Sequence, residues 1–356
     1  MPLSVRQEAT TFKVLEPEGM TGGAVAARVP AVAPPLVSVG MPVFNGANYI
    51  AQAIDCVLAQ TLVDLELIIC DNASTDGTEA ICRHYAARDR RVRYLRNPRN
   101  IGAGPNFDRC FHLARGTYFQ WAAHDDMRAP DYLARAVAAL DAHPEAVLCI
   151  AGIVEIGADG GELRRYATDL DAMAAADPAQ RFGCLIHAHH QCEDFFGVYR
   201  RAALNGSGLI GTFSGSDRVL LAEMALRGPW VRLPEHLFLH REHAARATRA
   251  LLLVDRAAAV RWLAPGARPR QGRLFHLVLY RDYWRAVRRN LPRGQRWGCY
   301  RELARWWITD GHFADVVRDL LQAIHPHLLR ALRRVKHATL GARRDSRSGS
   351  LPTLER

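Results

Sequence analysis

Short apolar runs alternate with amphipathic stretches along the first part of the chain. Buried strands are predicted at residues 36–44, 65–70, 92–95 and 117–121. Helices are predicted between them, from an apolar face that includes Ile50, Ile54 and Val57 and from a stretch at about 104–114. Strands and helices that alternate with short connections indicate an α/β fold, in which helices cover both faces of a parallel sheet.

The pattern changes from residue 147 onward. Strands are predicted at residues 147–156, 195–200 and 237–241, and an amphipathic helix at 216–227. Beyond Arg249 the apolar spacing is mostly helical, and it continues to Val335 with an expected kink at Pro326. Residues 1–35 are rich in Ala, Pro and Gly without a sustained period, so we expect them to be disordered, as we do the tail 341–356.

The positive charge is concentrated at the end of the chain. The net charge of the 356 residues is +11, but residues 249–356 alone hold 23 Lys+Arg and 8 Asp+Glu, a net of +15, together with five of the seven tryptophans. We define residues 249–340 as a basic helical extension. Basic side chains interleaved with Trp suit an anionic membrane surface, and a solvated helical subdomain fits the composition equally well. The extension holds no recognised nucleic-acid motif, so no nucleic acid is expected as a partner.

Composition also bears on the class of protein and its compartment. Hydrophobic residues make up 49% and charged residues 23%, which is ordinary for a folded, water-soluble chain. No apolar run approaches the roughly 20 residues that a membrane span needs. The eight cysteines are scattered without a C-x-x-C pair, and the N-terminus lacks a secretory pattern. We therefore expect a cytoplasmic protein, with the basic extension as a candidate for contact with the inner face of the membrane.

Polar residues follow the predicted strands where each strand ends. Asn45, Asp71, Asn100 and Asp125 all lie at or just after these strand ends. Because ligands of parallel sheets bind beyond the carboxyl ends of the strands, the set predicts a single site. The chain has no Walker sequence and no G-x-G-x-x-G after its first strand. A divalent cation held by carboxylates such as Asp125 and Asp126 is the alternative way to neutralise a diphosphate.

The motif series resembles the family 2 glycosyltransferases. The resemblance is carried by V-S-V-G-M-P-V-F-N at 37–45, L-I-I-C-D-N-A-S-T-D-G-T at 67–78, N-I-G at 100–102, G-T-Y-F at 116–119 and H-D-D at 124–126. Residues 196–204 and 215–221 are similar to the second half of that family. The resemblance covers roughly residues 36–248.

This resemblance implies a GT-A fold, with a nucleotide-binding half at 36–127 and an acceptor half at 128–248. It also implies a nucleotide-sugar donor, a divalent cation such as Mn²⁺ or Mg²⁺, and inversion at the anomeric carbon. The positions that match the nucleotide-sugar pocket of the family are Pro42, Phe44, Asn45, Asp71, Asn72, Asn100, Gly102 and Asn106.

The metal motif departs from the family pattern at its first acid. Asp125 matches the last acid of the D-x-D motif and Asp126 the acid that commonly follows it, whereas Ala123 replaces the first. The contact of that first acid with the ribose or with a metal-bound water is then either missing or taken over by His124. We therefore include His124 in the donor site. His243 follows a predicted strand and is a further candidate metal ligand, with a structural role as the alternative.

Asp217 matches the catalytic acid of the family, although Ser216 replaces the Glu that usually precedes it. A carboxylate in this role takes the proton of the acceptor hydroxyl as that hydroxyl attacks. Capping of the following helix is the alternative role for Asp217.

Together these features predict an inverting, metal-dependent glycosyltransferase that acts on a glycan or lipid-linked acceptor in surface polysaccharide or glycolipid biosynthesis. The alternative function is a catalytically degenerate GT-A domain that serves as a binding or scaffold protein. Ala123 and Ser216 favour that alternative, and the intact aspartates at 71, 125, 126 and 217 oppose it.

Overall fold

The strands of the protein follow the apolar runs of its sequence. The computed structural model describes residues 33–188, 192–244, 246, 256–266, 274–309 and 311–324. Its strands are β1 (Val37–Val43), β2 (Leu65–Asp71), β3 (Val92–Arg96), β4 (Tyr118–Trp121), β5 (Met127–Arg128), β6 (Leu148–Ile156), β7 (Glu162–Tyr166), β8 (Val198–Arg200) and β9 (Trp230–Arg241).

Helices connect most of these strands and make up the C-terminal part of the described chain. They are α1 (Ile50–Leu58), α2 (Thr78–Arg88), α3 (Ala103–Leu113), α4 (Tyr132–Ala142), α5 (Pro178–His187), α6 (Arg201–Leu204), α7 (Ser216–Arg227), α8 (Arg256–Leu263), α9 (Phe275–Asn290), α10 (Arg296–Ile308) and α11 (His312–Ile324). Short 3₁₀ turns lie at Asp171–Ala174, Glu193–Phe196 and Arg293–Gln295.

Within the described residues, the nine strands form one mixed sheet. Their order is β3-β2-β1-β4-β8-β6-β9-β5, and β7 pairs with the free side of β6. β1 lies between β2 and β4 and runs parallel to both. β8 is antiparallel to β4 and β6. The carboxyl ends of β1, β2 and β4 therefore meet at one edge of the sheet. The strand order changes direction at β1, because β2 and β3 lie on one side of it and β4 on the other. Ligands of such sheets usually bind at this point.

Apolar side chains cover both faces of the sheet, because β1 and β2 are buried on both sides. One face packs Val39, Met41 and their neighbours against α1 and α4. The other face packs residues such as Phe119 and Trp121 against α3, α5 and α7. The sequence runs of these strands are largely apolar for this reason, without the alternation of a half-exposed strand. Ser38 of β1 and Glu66 of β2 are buried exceptions, and they are hydrogen-bonded to each other (2.7 Å).

The C-terminal helices share the second of these cores. Leu279 and Tyr283 of α9 and Leu303 and Trp306 of α10 are buried in the same apolar cluster as α5 and α7. The described residues from Pro34 onward belong to one compact unit. The C-terminal helices are thus attached to the sheet domain by a common hydrophobic core.

The predicted strands and helices of the first 121 residues are confirmed to within two residues at each end. Two later predictions need correction. Residues 195–196 belong to a 3₁₀ turn, so the strand predicted at 195–200 is β8 at Val198–Arg200, and the strand predicted at 237–241 is the end of β9, which begins at Trp230. The expected disorder of residues 1–32 and 341–356 and the kink at Pro326 lie outside the described residues. In the described part of the chain, no helix combines the length and the apolar character needed to cross a membrane.

Candidate functional site

An open cleft of about 250 Å³ lies at the carboxyl ends of β1, β2 and β4. Most of the residues that the sequence assigns to the site line this cleft. They are Pro42, Phe44, Asn45, Asn72, Asn100, Asn106, His124, Asp125, Asp126 and His243. Asp71, Gly102 and Asp217 are not among the lining residues. The predicted residues that line the cavity thus come from five separated segments, four of which follow strand ends as the sequence predicted.

Asparagine side chains bonded to one another form the floor of the cleft on the side of β2 and α3. The Asn72 amide donates to Oδ1 of Asn100 (2.9 Å) and to the backbone oxygen of Gly102 (3.2 Å). Asn97, which the sequence analysis missed, donates to Oδ1 of Asn72 (3.0 Å) and of Asn106 (2.9 Å). Asn106 in turn donates to the backbone oxygen of Cys70 (2.7 Å). Buried amides with satisfied partners hold their orientation, so this floor is rigid.

The loop after β1 is held against the loop after β2. Asn45 has a positive φ of 52°, its Oδ1 accepts the backbone N–H of Thr75 (2.8 Å), and its own N–H donates to Oγ of Ser74 (2.9 Å). Asn tolerates this left-handed conformation better than most residues.

Asp71 is fully buried and lies beneath this loop. Its carboxylate accepts the N–H of Ser74 (2.8 Å) and the hydroxyl of Tyr94 (2.6 Å), and Nε of Arg96 is 3.4 Å away. In this structure Asp71 thus supports the loop from below the cleft.

The acidic end of the cleft combines the loop after β4 with the end of β9. Oδ2 of Asp125 is 2.9 Å from Nε2 of His243, and 13% of the Asp125 side chain is exposed. Burial disfavours the ionised carboxylate, but the hydrogen bond to His243 and the charges of His124 and His243 outweigh it and lower the pKa of Asp125 to about 2. The carboxylate is therefore ionised at any physiological pH. The His124 ring packs on Gly46, where a Cβ atom would lie 2.5 Å from Cδ2 of the ring.

Asp126 is turned toward the backbone of β9. Its Oδ1 accepts the N–H of Arg241 (2.9 Å) and lies 3.2 Å from Nδ1 of His240. Burial alone would lower the pKa of His240, and the neighbouring carboxylate of Asp126 raises it instead. Nε of the buried Arg241 donates to the backbone oxygen of Asp125 (2.9 Å). Asp126 and Arg241 thus lock the loop after β4 to the last residues of β9.

The residues present can supply part of a divalent-cation site. No group of three or more His, Cys, Asp or Glu side chains suited to a metal ion occurs within the described ranges. Asp125 and His243 meet in the cleft as an ionised carboxylate and an imidazole. Mg²⁺ is commonly held by one or two carboxylates, with substrate phosphates and water completing the shell. The pair therefore fits a cation that a bound diphosphate helps to hold.

Asp217 lies at the first turn of α7, after Gly215 with a φ of 86°. Its Oδ1 accepts the backbone N–H of Arg218 (2.8 Å). Burial raises the pKa of Asp217, and the bonds from Arg218 and Cys192 offset this only in part. Asp217 does not line the cleft around Asp125, so its expected role as the base stays a prediction.

Several lining residues were missed by the sequence analysis. Phe107 of α3, Phe196 before β8, Arg246 after β9 and Trp262 of α8 all contribute to the cleft. Arg246 could have been noticed from its position three residues after His243. Trp262 lies beyond the stretch that resembles the family, and no sequence signal connected it with the site.

Comparison with known proteins agrees with the motif series. Residues 38–206 match the model of glycosyl transferase family 2. The chain is 32% identical over 148 residues to the putative glycosyltransferase EpsE of Bacillus subtilis, an alignment that covers 40% of this chain and 53% of EpsE. It is 38% identical over 97 residues to a chondroitin synthase of Escherichia coli, over 27% of this chain and 14% of the synthase.

The aligned stretch covers between 10% and 53% of the curated relatives' own length. Among solved structures, S. aureus TarS 1–349 superposes with a TM-score of 0.54 at 15% identity, and the alignment covers 81% of each chain. At that identity the likeness concerns the fold, and it confirms the GT-A architecture. Residues 38–206 of the chain thus form a glycosyl transferase family 2 domain.

Proposed function

We propose that the protein transfers a sugar from a nucleotide-sugar donor to the hydroxyl group of an acceptor. The observation that carries this proposal is the cleft itself. It combines an amide-lined floor around Asn72 and Asn106 with an ionised carboxylate, Asp125, at its far end. Amides suit a nucleoside, and a carboxylate that binds a cation suits the diphosphate next to it.

The solved relatives support this class of donor. S. aureus TarS has been crystallised with UDP and with UDP-GlcNAc, and it shares the fold of this chain. At about 15% identity this likeness supports a nucleotide sugar as a class and does not identify its base or its sugar.

Asp125 and His243 are the residues that would hold a divalent cation, Mn²⁺ or Mg²⁺. Such an ion neutralises charge that develops on the departing diphosphate. His243 keeps the Asp125 carboxylate ionised and directed into the cleft. His124 and Arg246 line the same part of the cleft and add donors toward the phosphates.

Asp217 is the proposed general base, and inversion at the anomeric carbon is the proposed stereochemical course. A single displacement needs the acceptor on the face of the sugar opposite the leaving diphosphate, with a carboxylate within hydrogen-bond reach of the attacking hydroxyl. Asp217 lies in the first turn of α7, far along the chain from the loop after β4. The raised pKa strengthens the carboxylate as a base.

A binding and turnover experiment tests the proposal. The wild-type protein is titrated calorimetrically with UDP, GDP, UDP-GlcNAc and GDP-mannose, with and without Mn²⁺, and hydrolysis of the two sugar nucleotides is followed. We expect at least one sugar nucleotide to bind, more tightly with Mn²⁺, and the Asp125→Asn variant to lose that enhancement. Asp159→Asn, an exposed aspartate in the β6–β7 turn, is the matched control.

The same experiment decides between the enzyme and a degenerate GT-A binding module. Ala123 lines the cleft where the family carries an acid, which is the feature in favour of the module. Donor binding with equal hydrolysis in the wild type, Asp125→Asn and Asp217→Asn would establish the module. Absence of binding by all four ligands would remove the donor assignment altogether.

Surface polysaccharide or glycolipid synthesis at the cytoplasmic face of a membrane is the proposed setting. On α11, Phe313 is 63% exposed, and Val317, Leu320 and Leu321 are each about 40% exposed on the same helical face. The sequence that follows is basic, with Arg330, Arg333, Arg334 and Lys336. An apolar stripe next to a basic segment provides the two signals that stable binding to an anionic surface requires.

Vesicle co-sedimentation tests this setting. We expect binding to vesicles of phosphatidylcholine with phosphatidylglycerol, weaker binding in high salt, and little binding to phosphatidylcholine alone. Phe313→Ser should weaken the binding, whereas Leu163→Ser, which removes a comparably exposed (60%) apolar side chain elsewhere, should not. Binding that is equal for all proteins and lipids, or absent, would contradict the membrane role.

A further inference from the structure

The helix α8 closes one side of the cleft, although it lies beyond the segment that matches the family model. That segment ends at residue 206, and Trp262 lies in the middle of the C-terminal half. Trp262 nevertheless lines the same cleft as Asp125 and Asn106. The family model therefore does not describe the wall that Trp262 forms.

Close packing determines the position of this wall. A Cβ atom on Gly102 would lie 2.3 Å from the backbone oxygen of Leu263 and 2.7 Å from Cδ of Pro265. Gly102 has a φ of 94°, which glycine adopts without strain. Ala259, Val260 and Leu263 of α8 are buried. The C-terminal end of α8 thus rests directly on the start of α3, and this contact requires a residue without a side chain.

The aromatic residues of the cleft fall into two groups. Phe44 follows β1 and is 42% exposed. Phe107, Phe196 and Trp262 instead all pack against the core that includes α7, the helix that carries Asp217. These three aromatic residues therefore form a part of the cleft wall that the core supports, whereas Phe44 lies on the loop after β1.

The rest of the cleft has partners for the other parts of a nucleotide sugar. The asparagine floor offers amides, and the acidic end offers the Asp125–His243 pair. An indole ring is neither a phosphate ligand nor a hydrogen-bond partner for several hydroxyls. It does suit the apolar C–H face of a pyranose ring, which packs on the aromatic face while the hydroxyls at the ring edge reach polar groups.

We propose that Trp262 stacks on a pyranose ring held in the cleft beside Asp125, and so helps to determine which sugar the enzyme accepts. The inference rests on the proposed glycosyl transfer. The pyranose has two sources, the sugar of the donor and the terminal sugar of the acceptor. Both have the same C–H face, and the experiment distinguishes between them.

The test compares Trp262→Ala with Trp262→Phe, which keeps an aromatic face. Trp284→Ala is the matched control, because Trp284 lies on α9 and does not line the cleft. Affinities for UDP, GDP, UDP-GlcNAc and GDP-mannose are measured calorimetrically with Mn²⁺. Transfer to a panel of 4-nitrophenyl glycosides supplies KM values for the acceptor. Circular dichroism spectra and melting temperatures show whether each variant folds.

Two outcomes support the proposal. If the ring belongs to the donor, Trp262→Ala weakens sugar-nucleotide binding about tenfold and leaves the nucleoside diphosphate unchanged. If it belongs to the acceptor, donor binding is unchanged and the acceptor KM rises by about the same factor. In either case Trp262→Phe recovers most of the loss and Trp284→Ala shows none.

Other outcomes overturn it. Unchanged donor affinity and acceptor KM in a folded Trp262→Ala protein would show that the indole contacts no sugar. An equal loss for the nucleoside diphosphate and its sugar would assign Trp262 to the nucleotide. A wild-type protein that binds none of the four ligands would instead refute the proposed function, and this inference with it.

Discussion

The two sides of the cleft are built in different ways. The nucleotide side uses residues that directly follow β1, β2 and β3, or that begin α3, and they bond to one another through Asn72 and Asn97. The opposite side takes Phe196, His243 and Trp262 from segments far apart in the chain. Local strand ends thus determine the first side, whereas packing of distant helices determines the second. The first side lies within the segment 38–206 that matches the family model, whereas His243 and Trp262 of the second side lie beyond it.

The largest expected effect is on the rate of sugar transfer, and it separates donor binding from the chemical step. Asp217→Asn should lower the rate of sugar transfer by about 10²–10⁴-fold and leave donor affinity nearly unchanged, because it removes only the proton acceptor. Asp125→Asn should lower both. Steady-state kinetics and calorimetry measure the two effects. A loss of donor affinity in Asp217→Asn equal to that in Asp125→Asn would show that the two sides do not have separate roles.

Asp217 also predicts the pH dependence of the reaction. Burial raises the pKa of this carboxyl, so protonation should remove activity at a higher pH than for an ordinary aspartate. The acid limb of the kcat/KM profile should therefore lie above pH 4. A flat profile down to that pH would exclude Asp217 as the titrating base.

A second comparison concerns the tryptophans of the C-terminal helices. Trp306 is 1% exposed and stacks on His312, with a centroid distance of 3.9 Å, whereas Trp297 is 73% exposed. Trp306→Ala should lower the free energy of unfolding by about 3–5 kcal/mol. Trp297→Ala should change it by less than about 0.5 kcal/mol. Urea denaturation measures both, and equal effects would contradict a core shared by the C-terminal helices and the sheet domain.

A substitution in the asparagine floor should have a smaller effect on stability, and it should also weaken nucleotide binding. Asn97→Ala removes the donors to Asn72 and Asn106, which should cost roughly 1–3 kcal/mol of unfolding free energy. Nucleotide affinity should fall as well, because the floor loses its fixed orientation. Asn205→Ala, at an exposed position, is the control. Unchanged nucleotide affinity in a folded Asn97→Ala protein would show that the network does not shape the site.

A pH dependence of stability tests the contact between α3 and the loop that precedes α7. Asp108 of α3 accepts the backbone N–H of Ile210 (2.9 Å), and burial raises its pKa to about 7. The folded state then retains a proton that the unfolded chain releases near pH 4, so Asp108 lowers stability as pH rises from about 4 to 7. Asp108→Asn should remove that slope. Unfolding free energies at pH 5 and pH 8 check this, and parallel pH dependences of the two proteins would contradict it.

Much of the nucleotide side could be predicted from the sequence. The strands β1, β2 and β4 are largely apolar runs that end at an Asp or are followed within four residues by Asn or Asp, and such runs are read directly because burial on both faces disfavours polar residues. Asp71 shows the limit of that reading. The residue was identified correctly as lying at the end of β2, but its carboxylate is bonded to Ser74 and Tyr94 below the cleft. The position of a residue in the sequence does not determine the direction of its side chain or its hydrogen-bond partners.

The other side was determined by tertiary structure. β5 has only two residues and carries no periodic signal, and the strand predicted from Phe195 begins at Val198 because a 3₁₀ turn precedes it. The position of Trp262 depends on the fit of α8 against Gly102. The amino-acid sequence alone thus determined the α/β class, the family and the strand-end polar residues, because these follow from burial within continuous segments. Contacts between segments far apart depend on shape, which becomes defined only when the helices pack.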